Sequence, residues 1–272
     1  MKVLILADYF KEEAVKLMPE LVKWFFERNV LAIVLQQGEE IKSSQKFDFA
    51  VVLGGDGFIT KKSLVLARLN LPFLGINLGT KGFLAVAERD NWQEMLEKVL
   101  AGKYTIEKRI ILAATHFGAN KRQKLEAAGD IYIRHRTNMI AFSVVIDGEV
   151  VYKNLFADGV VVATPTGSTG YNLSAGGPYC QTGIVVTPIC PHAVNVKPLA
   201  LQESKRVEIV YLETKAQQEE DEGCLLFVDG IRYPIEPGDK VQIKNSRKRA
   251  FFVIPEGFSF FEALQKKLGL SK

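Results

Sequence analysis

Cysteine is scarce in this sequence. The 272 residues hold three, Cys180, Cys190 and Cys224, an odd number with no Cys-x-x-Cys spacing. That argues against a disulfide framework or a zinc knuckle, and the three read as buried free thiols. Histidine is as rare: His116, His135 and His192 share no metal-binding spacing, which makes them poor candidates for catalysis. His192, in Pro-His-Ala, reads as shaping the loop that carries Ala193. Apolar runs such as Leu31 to Leu35 and Val160 to Ala163 are far too short to span a bilayer. The opening Met-Lys-Val-Leu-Ile-Leu-Ala reads as a buried first strand, without the longer apolar stretch and cleavage site of a signal peptide, so a cytoplasmic protein is expected. A charge excess of one sign is also missing. The formal net charge of +4 suits an anionic small ligand and falls well short of a nucleic-acid footprint. The one dense basic run, Lys244 to Arg249, reads as a solvated turn between two strands. No internal repeat or low-complexity segment is visible.

What is present is ordinary globular composition, 47% hydrophobic and 24% charged, in a chain long enough for two domains. The first hundred residues alternate strand and helix. Lys2 to Ala7 reads as a strand, and Lys11 to Asn29 has the apolar spacing of a helix. Val30 to Leu35 and Phe47 to Leu53 read as strands, Ile59 to Leu69 as a helix, and Pro72 to Ile76 as a strand. Asn91 followed by Glu94 predicts a capped helix ending near Gly102. This order implies a mainly parallel sheet with helices on both faces. After Gly102 strands dominate: Thr105 to Thr115, Asp130 to His135, Met139 to Ile146 and Val150 to Val162. Asp147-Gly148 is a hairpin signal, and Asp229-Gly230 and Gly238-Asp239 are further turns. Ser259 to Leu268 reads as an amphipathic helix placed to return to the first domain. The organisation expected is an α/β domain over 1–103, a β-rich domain over 104–250 and a C-terminal segment, 251–272, packing back on the first.

Two motifs carry chemistry. Gly54-Gly55-Asp56-Gly57 directly follows the apolar strand Phe49 to Leu53. A glycine-rich turn at the carboxyl end of a strand, opening a helix, points backbone N–H groups at phosphate oxygens, with Asp56 held at the lip. The pattern is neither the Walker loop nor the dinucleotide fingerprint. The second motif, Asp158-Gly159 through Thr164-Pro165-Thr166-Gly167-Ser168-Thr169-Gly170-Tyr171 to Pro178, ends a strand in hydroxyls and glycines. Small polar side chains and close backbone approach suit a sugar-phosphate ligand.

GGDG at 54–57, GINLGTKGFL at 75–84, ADGVVVATPTGSTGYNLSAGGP at 157–178 and TPICPHAVNVKPLAL at 187–201 together resemble the NAD kinases. The resemblance runs through nearly the whole chain, to Val228-Asp229-Gly230 and the strand after Gly238-Asp239. The third motif is highly specific; GGDG alone is shared with diacylglycerol-kinase-like and phosphofructokinase-like enzymes. The resemblance implies a Rossmann-like α/β domain supplying GGDG, a β-rich domain supplying the long motif, and substrate between them. It implies transfer of a phosphoryl group from ATP to the adenosine ribose 2′-hydroxyl of NAD, with magnesium or another divalent cation. By resemblance Asp56 is the proton acceptor, and Gly57 and Lys61 lie close to NAD. Gly54, Gly55 and Gly57 form the phosphate loop. Asp130, Asp158, Thr169, Tyr171, Ser174 and Ala193 match NAD-binding positions, and Asn138 aligns with another. A homodimer or homotetramer is what such a resemblance suggests. The chain departs from the pattern at three places. Gly129 stands where Asn usually precedes the acidic residue, Phe58 where Thr usually follows GGDG, and Gly170 where Ala usually precedes Tyr171. The first two bear on substrate affinity and on NAD versus NADH preference. A lipid or other small-molecule kinase sharing GGDG, and a non-catalytic NAD-binding regulatory protein, stay open at this point.

Overall fold

The structure, a computed structural model, describes residues 1–39, 41, 45–119, 121–214 and 223–268, with Leu268 described by its backbone only. The elements in order are β1 (Lys2–Ala7), α1 (Glu12–Phe26), β2 (Leu31–Leu35), β3 (Phe49–Gly54), α2 (Asp56–Arg68), β4 (Phe73–Asn77), β5 (Ala87–Glu88) and α3 (Trp92–Leu100). There follow β6 (Tyr104–Gly118), β7 (Lys121–Ala127), β8 (Asp130–His135), β9 (Ile140–Ile146), β10 (Glu149–Ala157), β11 (Gly159–Ala163) and α4 (Tyr171–Ser174). The chain ends with β12 (Ile184–Ile189), β13 (Leu199–Leu201), β14 (Val207–Thr214), β15 (Cys224–Val228), β16 (Ile231–Pro234), β17 (Lys240–Pro255) and α5 (Phe260–Leu268). It divides into two compact units, one of residues 1–109 with the chain from Arg249 on, the other Ile110–Lys248.

In the first unit β1 pairs in parallel with β2 and β3, and β3 with β4. β5 extends β4, and Phe252 of β17 lies beside Phe73. Strands β3 and β4 are buried at every residue, which is why they read as continuous apolar runs: a parallel sheet covered on both faces needs no polar alternation. One side chain in two along β1, Val3 and Ile5, joins a core with Leu17, Leu21 and Phe25 of α1, Val51 of β3 and Leu96 of α3. Helix α2 packs against β3 and β4. α5 belongs to this unit, in keeping with the return expected of the final helix.

The second unit is built on alternation. A six-stranded sheet runs β13-β12-β11-β8-β15-β16 with antiparallel neighbours. A second set runs β10-β9-β14-β17, and β6 pairs with β7. In β8 the buried residues are Ile131, Ile133 and His135. The two isoleucines join Val160 and Val162 of β11 and Phe142 and Val144 of β9 in one core.

Several expectations are corrected. Val150 to Val162 is two strands, because the chain leaves one sheet at Asp158 and enters the other: β10 pairs with β9, β11 with β8 and β12. A Cβ on Gly159 would overlap the Ile133 carbonyl, so the crossing requires glycine there. The basic run Lys244 to Arg249 is no turn but the middle of β17, with Lys244, Arg247 and Lys248 exposed and Arg249 half-buried. α2 starts at Asp56, three residues before the expected Ile59, since first-turn N–H groups need no partner within the helix and tolerate glycine. Asn91 stands before α3 without capping it; its backbone is not extended, and its Oδ1 accepts the N–H of Glu88 at 2.7 Å. β7, polar at most positions, was not foreseen. Of the free cysteines only Cys224 is buried, and burial pushes its thiol up to about 12; Cys190 is exposed.

Candidate active site

In the first unit GGDG closes β3 and opens α2. Gly55 is extended, at φ −88° and ψ 174°, and Asp56 is the first helical residue. The Asp56 carboxylate does not cap its own helix. Its Oδ2 accepts the Phe83 N–H and its Oδ1 the Leu84 N–H, both at 3.0 Å. These amides belong to the GINLGTKGFL segment, which lies against the glycine turn: Leu78 N–H donates to the Gly54 carbonyl at 3.0 Å, and Lys11 Nζ donates to the Leu78 carbonyl at 3.2 Å. Asp56 is therefore fixed in direction while Gly57, next to it, is exposed. Lys61, one turn later on the same helix face, is exposed too. Phe58 is half-buried against Gly54, with Lys62 Nζ 5.1 Å from the centre of its ring. A cavity of about 450 Å³, lined by Tyr9, Phe58, Lys61 and Lys62 among others, opens at this edge of the sheet.

The second unit places its site residues on the face of β8 and β11 opposite the core. Strand alternation puts Asp130, Tyr132 and Arg134 there. Register sets Tyr132 beside Val161 and Phe227, and Val161 beside Thr187. Tyr132 stacks on Phe227 with ring centres 4.5 Å apart, and Tyr171 meets Tyr132 edge-on at 4.8 Å. Arg134 donates to the Tyr171 hydroxyl at 3.2 Å. Helix α4 is pinned to this face by Asn172, which is fully buried. Its Oδ1 accepts from Thr187 Oγ1 at 2.6 Å, and its Nδ2 donates to the carbonyls of Ser168 and Pro178, both at 3.0 Å. A buried amide with all three contacts satisfied holds the Thr166–Tyr171 turn in one conformation.

Asp130 lies where β8 begins. Burial, and then the neighbouring charge of Asp229, push its carboxyl up to about 7. The backbone beside it is anchored by Asp229, whose carboxylate accepts the N–H groups of Ala128, Gly129 and Asp130. Gly129 is buried, and its carbonyl accepts the Thr164 N–H at 2.9 Å. Asp158 sits at the other end of this face, in the step from β10 to β11, its N–H donated to the Ile189 carbonyl at 2.9 Å. From Gly159, beside Arg134, to Ala163, beside Asp130, are four register steps, roughly 13 Å at the usual strand rise. Thr169 is half-buried in the turn before α4, and Ser174 is exposed at the end of α4. Ala193 is exposed in the loop after β12, where the neighbouring His192 N–H donates to the Phe156 carbonyl at 2.8 Å. Asn138 lies beyond the other end of β8 from Asp130, its N–H donated to His135 Nδ1 at 3.0 Å.

Sequence reasoning missed Asp229, Asn172 and Arg134 as parts of this site, and Asn77 and Glu88, which pair with each other at the loop leading to Phe83 and Leu84. Asp229, Asn172 and Asn77 lie inside the motifs at 228–230, 157–178 and 75–84; the signal available was a carboxylate or amide among mostly glycine, hydroxyl and apolar residues.

Residues 37–104 match the family described as ATP-NAD kinase N-terminal domain, and 130–254 that described as ATP-NAD kinase C-terminal domain. The NAD kinase of Lachnoclostridium phytofermentans is 40% identical over 229 residues, 81% of this chain and 79% of the relative. Two crystal structures share the fold at 24% identity. Yeast NADH kinase complexed with NADH gives a TM-score of 0.84, covering 100% of this chain and 88% of that one. An NAD kinase from Archaeoglobus fulgidus in complex with ATP gives 0.75, covering 99% and 98%. Among the described residues no helix is long and apolar enough to cross a membrane. With both domain matches and the Lachnoclostridium relative in agreement, the chain belongs to the NAD kinase family.

Proposed function

We propose that the chain transfers the terminal phosphoryl group of ATP to the 2′-hydroxyl of the adenosine ribose of NAD, giving NADP. The observation that carries this reading is the grip of the Phe83 and Leu84 amides on the Asp56 carboxylate, beside an exposed Gly57 at the carboxyl edge of a parallel sheet. A hydroxyl attacking a phosphoryl group needs an acceptor aimed at its proton. Both Asp56 oxygens are directed by the backbone, and each keeps a lone pair for the substrate. Phosphoryl transfer passes through a loose transition state with charge on the equatorial oxygens, so the proton leaves late and positioning counts for most. Asp56 orients the hydroxyl and takes its proton as the new P–O bond forms and the bond to the leaving diphosphate breaks. The N–H groups of Gly55 and Gly57 at the start of α2, with Lys61, offer positive ends to phosphate oxygens.

The second unit supplies the NAD-binding groups in this reading. The roughly 13 Å of this face from Asp130 to Arg134, with Asp158 beyond it, suits an extended dinucleotide. Asp130, Thr169, Tyr171, Ser174, Asp158, Ala193 and Asn138 are the contacts proposed there. Magnesium, bound with ATP, would offset the charge of its phosphates. Among the described residues no three His, Cys, Asp or Glu side chains converge as a ligand group. The motif resemblance further supports a homodimer or homotetramer.

The test is NADP formation by the purified chain with ATP, magnesium and NAD, followed with an NADP-specific dehydrogenase. Diacylglycerol in place of NAD should give no phosphorylated product. Phosphorylation of the lipid without NADP formation would favour the lipid-kinase reading, and no turnover with either the non-catalytic one.

A further inference from the structure

The Asp56 carboxylate is only as fixed as the segment that grips it, and that segment is glycine-rich: Gly79-Thr80-Lys81-Gly82 precedes the two gripping amides. Glycines leave a chain free to move unless something pins it. Here the pin comes from the far end of the sequence. Lys267 of α5, its side chain 11% exposed, donates to the Gly82 carbonyl and pairs with Glu88 Oε1 at 2.7 Å. Glu88 Oε2 in turn accepts from Asn77 Nδ2 at 2.7 Å, and Asn77 Oδ1 accepts the Gly79 N–H at 2.9 Å. Gly82, at φ +68°, lies so close against the Asn77 amide that a Cβ would overlap it. Lys267, Glu88 and Asn77 thus enclose the loop at Gly79 and Gly82, and the next two residues, Phe83 and Leu84, hold Asp56. An ammonium this far out of water requires its carboxylate and carbonyl partners, so the arrangement is held as a unit.

We propose that Lys267 is a positioning residue for phosphoryl transfer, acting through Gly82 and Glu88 to hold the Phe83 and Leu84 amides on the Asp56 carboxylate. This rests on the role given to Asp56 above. Without the Lys267 ammonium the loop loosens and Asp56 loses its direction, while the NAD-binding groups of the second unit are untouched.

The experiment is a double-mutant cycle on the full chain with Lys267→Met and Asp56→Asn, measuring kcat and the KM for NAD at saturating ATP and magnesium. Lys267→Met should lower kcat between about tenfold and a hundredfold, the scale of a 1 Å misplacement, with KM for NAD changed less than about twofold. In the Asp56→Asn background it should lower kcat no further. Hydrogen exchange should quicken at Phe83 and Leu84 in Lys267→Met. If that variant does not fold, Glu88→Gln takes its place in the same cycle with the same expectation. Full kcat in the single variant, or an equal fold-loss in both backgrounds, overturns the proposal. Wild-type turnover by Asp56→Asn overturns the role of Asp56 and this proposal with it. A disabled Asp56→Asn beside a fully active Lys267→Met overturns this proposal alone.

Discussion

The carboxylate of Asp229 accepts the N–H of Asp130 at 3.1 Å, together with those of Gly129 at 2.9 Å and Ala128 at 2.7 Å. A turn between β15 and β16, with Asp229 at φ 46° and Gly230 at φ 79°, brings this anchor to the start of β8. Asp229 both places the Asp130 backbone and, by its charge, disfavours ionisation of the Asp130 side chain.

The first prediction follows from that carboxyl, pushed up to about 7 by burial and by Asp229. Unfolded, the group titrates near its ordinary value of 3.8. The folded state therefore holds a proton that the unfolded state has lost between these limits. The resulting stability is full below about pH 4 and lost as pH rises through about 7. Asp130→Asn should gain in melting temperature relative to wild type between pH 5 and pH 8, by its pH dependence alone, and should flatten the inflection near 7 in kcat/KM for NAD. A melting difference that stays constant across this range would contradict the assignment.

Asp229→Ala should cost roughly 3 kcal/mol or more, because three backbone N–H groups lose their charged acceptor at once. Urea denaturation measures it, and a cost under about 1 kcal/mol would show that water replaces the carboxylate without loss. The KM for NAD should rise as well, since the Asp130 backbone loses its anchor.

Two glycines of the long motif should respond unequally to alanine. A Cβ on Gly167 would overlap the Gly129 carbonyl, so Gly167→Ala should destabilise by about 1–3 kcal/mol. At Gly170 the nearest atoms to an added Cβ are the Gly167 carbonyl oxygen at 3.3 Å and Asp130 Oδ2 at 4.0 Å, so Gly170→Ala should stay within about 1 kcal/mol of wild type. Equal costs in thermal melts would mean that the close approach of Gly167 and Gly129 does not govern the turn.

What the sequence made legible was whatever is local. β1 and β8 span the residues read for them, because a covered parallel strand and a half-exposed antiparallel strand each write their burial into successive side chains. The glycine turn at 54–57 was legible because it directly follows an apolar strand and opens a helix. What escaped was set at a distance. The break at Asp158 depends on Gly159 fitting under the Ile133 carbonyl, which no window around residue 158 contains. The run Lys244 to Arg249 has turn-like composition but is held extended within β17. The Asn77–Glu88–Lys267 cluster joins residues from β4, β5 and α5, and Asp229 serves a strand about a hundred residues earlier; neither leaves a periodic signal.

The central claim is that Asp56 accepts the ribose proton, and the most direct measurement is turnover of Asp56→Asn with NAD, ATP and magnesium beside its affinity for NAD. The amide keeps the size of the carboxylate and removes the acceptor. We predict a folded variant whose stability falls by the loss of one of the two N–H bonds, about 1–3 kcal/mol, with NAD binding close to wild type and kcat lower by about a hundredfold or more. NADP formation at near wild-type rate by this variant would contradict the account.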